Sequence, residues 1–454
     1  MSYQQRSGQN LQGIINDLKR RPEDAAAELN VSLDEFHSYL RGDRKIPASV
    51  IKRAADIWPV NERDFYCLRD DAPTGIKIMR ATESAQTSRV MERAGKPYYE
   101  YRDTAASSIS QFRPEWIKEL CVVNDNNPDN SEVQWNNGHF MHQFTYFVGP
   151  VNFYYRGEDG QKKVAVMNTG DSMYITPFVP HTFATRKNDA GENGLILALT
   201  YGNKLAGETQ QELSALGTDL ASEYPLDFST SQKASAYLLR FHREAASMDL
   251  QELSRRTRLP AGLLQDFETV LRPNEKMLQL IAEALNVDTR ELLPPNKIGG
   301  KVIVNPYQLS PRWNYPYTNP SYNLVELAGT HHLPHSKALE MNLLKNEGSD
   351  HESLDLKVGL HQYVYNVGKT AVNVNWNLDG QMYHDFLQPD DSLYLKPFVS
   401  HNFRGKEGKL LILRIGGRAA GEAQRELSLI GKENTARAVR ELIPWFNKEG
   451  KNKI

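Results

Sequence analysis

Side chains able to hold a metal crowd into one short stretch, Asn136-Asn137-Gly138-His139-Phe140-Met141-His142-Gln143, and a further histidine ends the run Pro177-Phe178-Val179-Pro180-His181. Two imidazoles and a neutral amide oxygen, from His139, His181 and Gln143, make a three-point grip on one face of an ion. Imidazole suits iron, copper, nickel and zinc. Two histidines with one oxygen donor and open positions is the pattern that Fe(II) uses for dioxygen chemistry. The oxygen donor is ordinarily a carboxylate; here it is the amide of Gln143. Alternation along an extended chain places His139 and Gln143 on one face and His142 on the other, so His142 ranks behind them as a ligand. Four residues of straight strand span roughly 13 Å. His139 and Gln143 therefore share an ion only where the chain bends, which Gly138 at a sheet rim permits. A lone histidine in a β module is ordinarily a hydrogen-bonded core or surface residue, and His384 and the His331-His332 pair read that way.

The elements around these residues are β. Tyr98-Tyr99-Glu100-Tyr101, Phe144 to Val148 and Val151 to Tyr155 are aromatic and β-branched runs separated by Gly-Pro, Gly-Glu-Asp-Gly and Asn-Thr-Gly-Asp turns. Short strands with such punctuation argue a sandwich or closed barrel. Gly194 to Leu199 reads as a buried strand.

The region before them is helical. Asp24 to Leu29 favours helix, Asn30-Val31 breaks it, and Ser32 caps a helix running through Phe36 to Leu40. Gly42 closes that helix and Pro47 stands at the start of Ala48 to Ile57. This is a helix-turn-helix plan, commonly used on DNA. The candidate recognition helix opens with Asp34 and Glu35, the wrong sign for phosphate. Lys19-Arg20-Arg21 forms a cationic cluster at the end of the first helix.

The chain has 454 residues, enough for about three domains. Its 54 Lys and Arg against 56 Asp and Glu leave a net charge of -2, so no global basic field points to nucleic acid. Cys67 and Cys121 are the only cysteines, too few for a disulfide framework or a thiolate metal site. The polar opening residues lack the apolar core of a signal peptide, and no apolar run spans a membrane. The expectation is a cytoplasmic protein with neither nucleic acid nor membrane as partner.

The plan then recurs. Asp171 to His181 matches Asp391 to His401, and His142 to Gly149 matches His361 to Gly368. His401 and Gln362 persist in the second copy, but Val358 stands for His139. One working site, in the first copy, is expected. The expected fold class is α+β: a tandem repeat of an all-α helix-turn-helix-like module followed by a β-barrel module. The boundaries are 1–70 for the first helical module, 71–205 for the first barrel, 206–295 for a linker and second helical module, 296–417 for a degenerate second barrel, and 418–454 for closing helices.

This arrangement resembles the hydroxyethylphosphonate dioxygenase and hydroxypropylphosphonate epoxidase family of non-haem iron cupins, and the likeness covers most of the chain as two linked repeats. The resemblance implies one Fe(II) per chain, in the first cupin, held by His139, Gln143 and His181, with dioxygen as co-substrate and no 2-oxoglutarate. It implies that Lys19, Arg93, Tyr101 and Asn136 bind a phosphonate substrate, Lys19 reaching it from another module or protomer, and that the chain is a homodimer. Family members place a glutamate ligand four residues after the first histidine or six before the last. Those positions here are Gln143 and Ile175. The glutamine points to the branch that cleaves the C–C bond of 2-hydroxyethylphosphonate, giving methylphosphonate and carbon dioxide or bicarbonate. Dioxygenase chemistry, giving hydroxymethylphosphonate and formate, stays open, as does a transcription regulator with a cupin effector domain.

Overall fold

Helix boundaries follow the local chemistry. In a computed structural model describing residues 2–439 and 445, apart from 111, 203, 204, 206, 296–299 and 346–353, the chain forms two compact units. One comprises Met1–Lys77, Ala106–Gln111 and Gly416–Ile454; the other comprises Ile78–Ala105 and Phe112–Ile415.

The first unit opens with helices Tyr3–Asp17, Pro22–Leu29, Leu33–Leu40 and Ala48–Ile57. Asn30 ends the second in a left-handed conformation, with φ 60. The Ser32 hydroxyl caps the third by accepting from Glu35 N at 3.2 Å, and Pro47 immediately precedes the fourth. These helices bury Leu11, Ile15, Phe36, Ile51, Trp58 and Phe65 in one core. The first and third cross closely at Gly8, where a Cβ would come within 2.3 Å of the Leu40 carbonyl oxygen. The closing helix Glu422–Val439 is broken at Gly431, φ 79; the expected continuation toward Trp445 lies mostly outside the described residues.

The second unit is dominated by sheets. One runs in the order Val302–Asn305, Ser172–Ile175, His142–Val148, Leu195–Tyr201, Arg113–Glu119, Lys96–Asp103 and Arg89–Arg93. Val122–Val123, His181–Arg186, Val151–Arg156 and Lys162–Met167 form another. Between them lie Phe147, Phe153, Met173, Ile175, Phe183 and Ile196. A corresponding pair follows. Within this unit one sheet orders Ser392–Leu395, His361–Asn366, Lys409–Ile415, Ser336–Leu343, Tyr322–Glu326 and Arg312–Tyr315; the other orders Gln381–Leu387, Val372–Leu378 and Ser400–Arg404. Between the two sets of strands, helices Ser231–Ala245, Leu250–Thr257, Ala261–Phe267 and Glu275–Leu285 pack around Leu239, Leu253, Leu264 and Ile281.

The two sets are tied reciprocally. Val302–Asn305 pairs with Ser172–Ile175. Tyr307 N donates to Asp171 Oδ1 and Ala81 N donates to Asp391 Oδ1, each at 2.8 Å. Ala328 N donates to the Ser172 hydroxyl and Ala105 N to that of Ser392. Among the described residues no helix is long and apolar enough to cross a membrane.

Candidate metal and substrate site

Two elements bring the ligand candidates together. Gln143 lies on the strand His142–Val148, and His181 opens His181–Arg186. His139 precedes the first strand, on a bend set by Gly138 at φ 77. A side chain at Gly138 would strike the backbone of Phe178, its Cβ only 2.6 Å from the carbonyl carbon. Phe178 N in turn donates to His139 O at 2.8 Å. The bend removes the distance problem of a straight strand: His139 Nε2 stands 3.0 Å from Gln143 Oε1. The His139 and His181 rings meet edge to face with centroids 5.2 Å apart.

Each imidazole is oriented from behind. His139 Nδ1 bonds the Met141 carbonyl at 2.9 Å, and His181 Nδ1 bonds that of Val179 at 2.8 Å. With Nδ1–H donated to a carbonyl, the lone pair is left on Nε2, as a metal ligand requires. Burial pushes His181 down to about 4, with the His139 and Arg93 charges acting the same way, so its ring is neutral at ordinary pH. The Gln143 amino group donates to the buried Thr145 hydroxyl at 2.9 Å, which turns Oε1 inward. Two imidazole nitrogens and an amide oxygen fit a borderline divalent ion such as Fe(II). Among the described residues no group of three histidine, cysteine or carboxylate side chains is placed to hold a metal, so any centre here draws on the amide.

The cavity has a volume of about 110 Å³, and His139, Gln143, His181, Arg93, Tyr101 and Asn136 all line it. Arg93 ends a hairpin strand at a two-residue turn, Ala94-Gly95, with both residues at positive φ. Its guanidinium donates to Gln134 O at 2.7 Å and the Thr182 hydroxyl at 3.2 Å, and lies over the rings of Tyr98 and Tyr99. That leaves a rigid fork suited to an oxyanion. Asn136 Oδ1 accepts from Gly138 N and His181 N, and its amino group reaches His181 Nε2 at 3.3 Å.

Two other candidates are not among the residues that line the cavity. His142 turns the other way, stacked between Tyr174 and Tyr201 and bonded to the Tyr174 hydroxyl; burial pushes it down to about 4. Lys19 belongs to the other compact unit. There its ammonium bonds the Asp17 carbonyl at 3.0 Å and lies 4.8 Å from the Trp445 ring centre, while Arg20 and Arg21 pair with Glu28 and Asp24.

Sequence reading missed Thr200, Glu115 and Phe183 in the cavity wall. It also missed Thr182, whose hydroxyl joins Arg93 to the Tyr98 and Tyr99 hydroxyls, and Thr145. Period-two alternation from Gln143 and His181 would have pointed to Thr145 and Phe183. Glu119 lies behind the wall, fully buried, with neither carboxylate oxygen hydrogen-bonded among the described residues. Burial holds it well above the usual carboxylate range, against the pull of Arg93.

No family model matches the chain. It is similar to the structure of Streptomyces albus HEPD with substrate 2-hydroxyethylphosphonate and Fe(II) bound, with TM-score 0.90, 38% identity, and 98% of this chain and 99% of that one covered. A structure of native PhpD with cadmium atoms, 19% identical over 95% of this chain and 99% of that one at TM-score 0.73, shares the fold. Methylphosphonate synthase of Nitrosopumilus maritimus (strain SCM1) is 55% identical over 452 residues, 99% of this chain and 98% of that protein. At that identity over nearly the whole of both proteins, the chain belongs to the methylphosphonate synthase family.

Proposed function

We propose that the chain converts 2-hydroxyethylphosphonate and dioxygen into methylphosphonate and carbon dioxide or bicarbonate, with one Fe(II) held by His139, Gln143 and His181. It is an enzyme of phosphonate metabolism. The observation that carries the reading is the amide oxygen of Gln143 set 3.0 Å from His139 Nε2 inside a cavity shared with His181. The kinship supports it: a relative 55% identical is a methylphosphonate synthase, and a structure 38% identical holds Fe(II) and 2-hydroxyethylphosphonate.

When bound, Fe(II) supplies the coordination sites and the electron that dioxygen activation needs. An amide in place of a carboxylate leaves that centre one charge more positive. Arg93 takes the phosphonate oxyanion with its fixed guanidinium, and Tyr101 and Asn136 add neutral donors that set the substrate's direction. Asn136 also holds the His181 end of the ligand set through its bond to His181 N. Lys19 supplies the second cation, across modules or from the partner in a homodimer. The reaction balances as one substrate and one dioxygen giving one methylphosphonate, one carbon dioxide and one water. All electrons come from the substrate, so no 2-oxoglutarate is consumed.

The tandem plan belongs to the same reading: helix-turn-helix-like modules at 1–70 and 206–295, each followed by a cupin barrel, at 71–205 and 296–417, with closing helices after 418 and only the first cupin active. Phosphorus NMR tests the chemistry. Protein loaded anaerobically with Fe(II), then given substrate and air, yields a methylphosphonate resonance. Hydroxymethylphosphonate with formate in its place shows the dioxygenase reaction and overturns the proposal.

A further inference from the structure

The second set of strands repeats the site with a different centre. Val358 stands for His139 on the same backbone bond: Phe398 N donates to Val358 O at 2.7 Å, as Phe178 N does to His139 O at 2.8 Å. Gln362 and His401 stand for Gln143 and His181, and His401 Nδ1 again bonds a carbonyl, that of Val399, at 2.9 Å. Thr200 is register partner to Gln143, and in the matching pair Arg414 is partner to Gln362. The small hydroxyl of the first half is therefore a guanidinium in the second.

That guanidinium reaches the amide. Arg414 Nε donates to Gln362 Oε1 at 2.9 Å, the oxygen matching the one aimed at the first cavity. Val364 replaces Thr145, and the Gln362 amino group, without a hydroxyl acceptor beneath it, has no hydrogen-bond partner among the described residues. His401 Nε2 is likewise buried and without a hydrogen-bond partner there. Asp355, in the place of Asn136, is paired with the buried Arg404 at 2.7 Å. The donor atoms that would serve a metal persist; one now accepts from a side-chain cation.

We propose that Arg414 is a built-in cation standing where the metal stands in the first half, and that Arg414 together with Val358 keeps the second half metal-free. Guanidinium is permanently charged and donates N–H groups to the acceptors that a metal would otherwise engage. A divalent ion entering there would meet a fixed positive charge and one missing imidazole. The inference rests on the reading that the first half holds metal through His139, Gln143 and His181.

Cobalt(II) titration under argon, read by metal analysis and visible absorbance, tests both separately. The wild type takes one Co(II) per chain and His139→Ala takes none. Val358→His with Arg414→Thr takes two, and adding His139→Ala to that pair leaves one. A folded Val358→His, Arg414→Thr protein that still binds one overturns the role of Arg414. Co(II) retained in His139→Ala instead overturns the reading of the first half. Should the double variant fail to fold, His401→Ala in the otherwise unchanged chain decides: an unaltered content of one Co(II) supports the inference, and a fall in content overturns it.

Discussion

His139 Nε2 and Gln143 Oε1 stand 3.0 Å apart across a bend that only glycine at 138 accommodates. A ring nitrogen and an amide oxygen, both fixed from behind, thus face one point. Gln143→Ala removes one of the donors and is expected to abolish Fe(II)-dependent turnover and weaken metal binding by more than about 100-fold. Metal analysis with a phosphorus NMR assay checks this, and an unchanged metal affinity removes Gln143 from the ligand set.

Thr145 is fully buried and accepts from the Gln143 amino group. Thr145→Val keeps the shape and deletes the acceptor, leaving the amide free to turn its oxygen away. Metal affinity should fall by about 10-fold, while Thr145→Ser restores it. Equal affinity in all three shows that the hydroxyl does not orient the amide.

Arg93 is stacked over two tyrosines with its guanidinium bonds directed by Gln134 and Thr182. Arg93→Lys keeps the charge but loses the planar fork, which is expected to cost about 1.5–3 kcal/mol in kcat/KM. The loss should appear mainly as a raised KM for 2-hydroxyethylphosphonate. A fall in kcat alone would show that Arg93 acts on the chemical step instead.

Three buried imidazoles, His181, His361 and His401, are pushed down from 6.5 to about 4 by burial. The native state then binds fewer protons than the unfolded chain. Stability of the metal-free protein is full above pH 6.5 and lost as the pH falls toward 4, by at most about 3 kcal/mol per histidine. Urea midpoints measured across that window should fall steadily; a flat profile contradicts the burial of these rings.

Glu119 shows the opposite sign. Burial holds its folded pKa well above the unfolded value, so its contribution is present below pH 4.5 and is lost as the pH rises through the folded value. Glu119→Gln keeps the shape without the titration. Its denaturation midpoint should change less than that of the wild type as the pH rises above 4.5.

Much of this arrangement is legible in sequence because local rules set it. Asn30, Ser32 and Pro47 punctuate the first helices as their side-chain chemistry requires. Alternation separated His142 from Gln143, and the structure places His142 against Tyr174 and Tyr201, away from the cavity. What could not be read is what depends on register between distant strands. Thr200 faces Gln143, and Arg414 faces Gln362, only because Leu195–Tyr201 and Lys409–Ile415 pair where they do. Thr182 likewise becomes the post for Arg93 through a meeting of residues far apart in sequence.

The crossed bonds from Tyr307 to Asp171 and from Ala81 to Asp391 reach beyond architecture. A fragment ending before residue 300 would leave the outer edge of Ser172–Ile175 bare, inviting aggregation through unpaired backbone. The second set of strands therefore serves as the cover of that edge, a duty that asks for backbone pairing and none of the donor side chains.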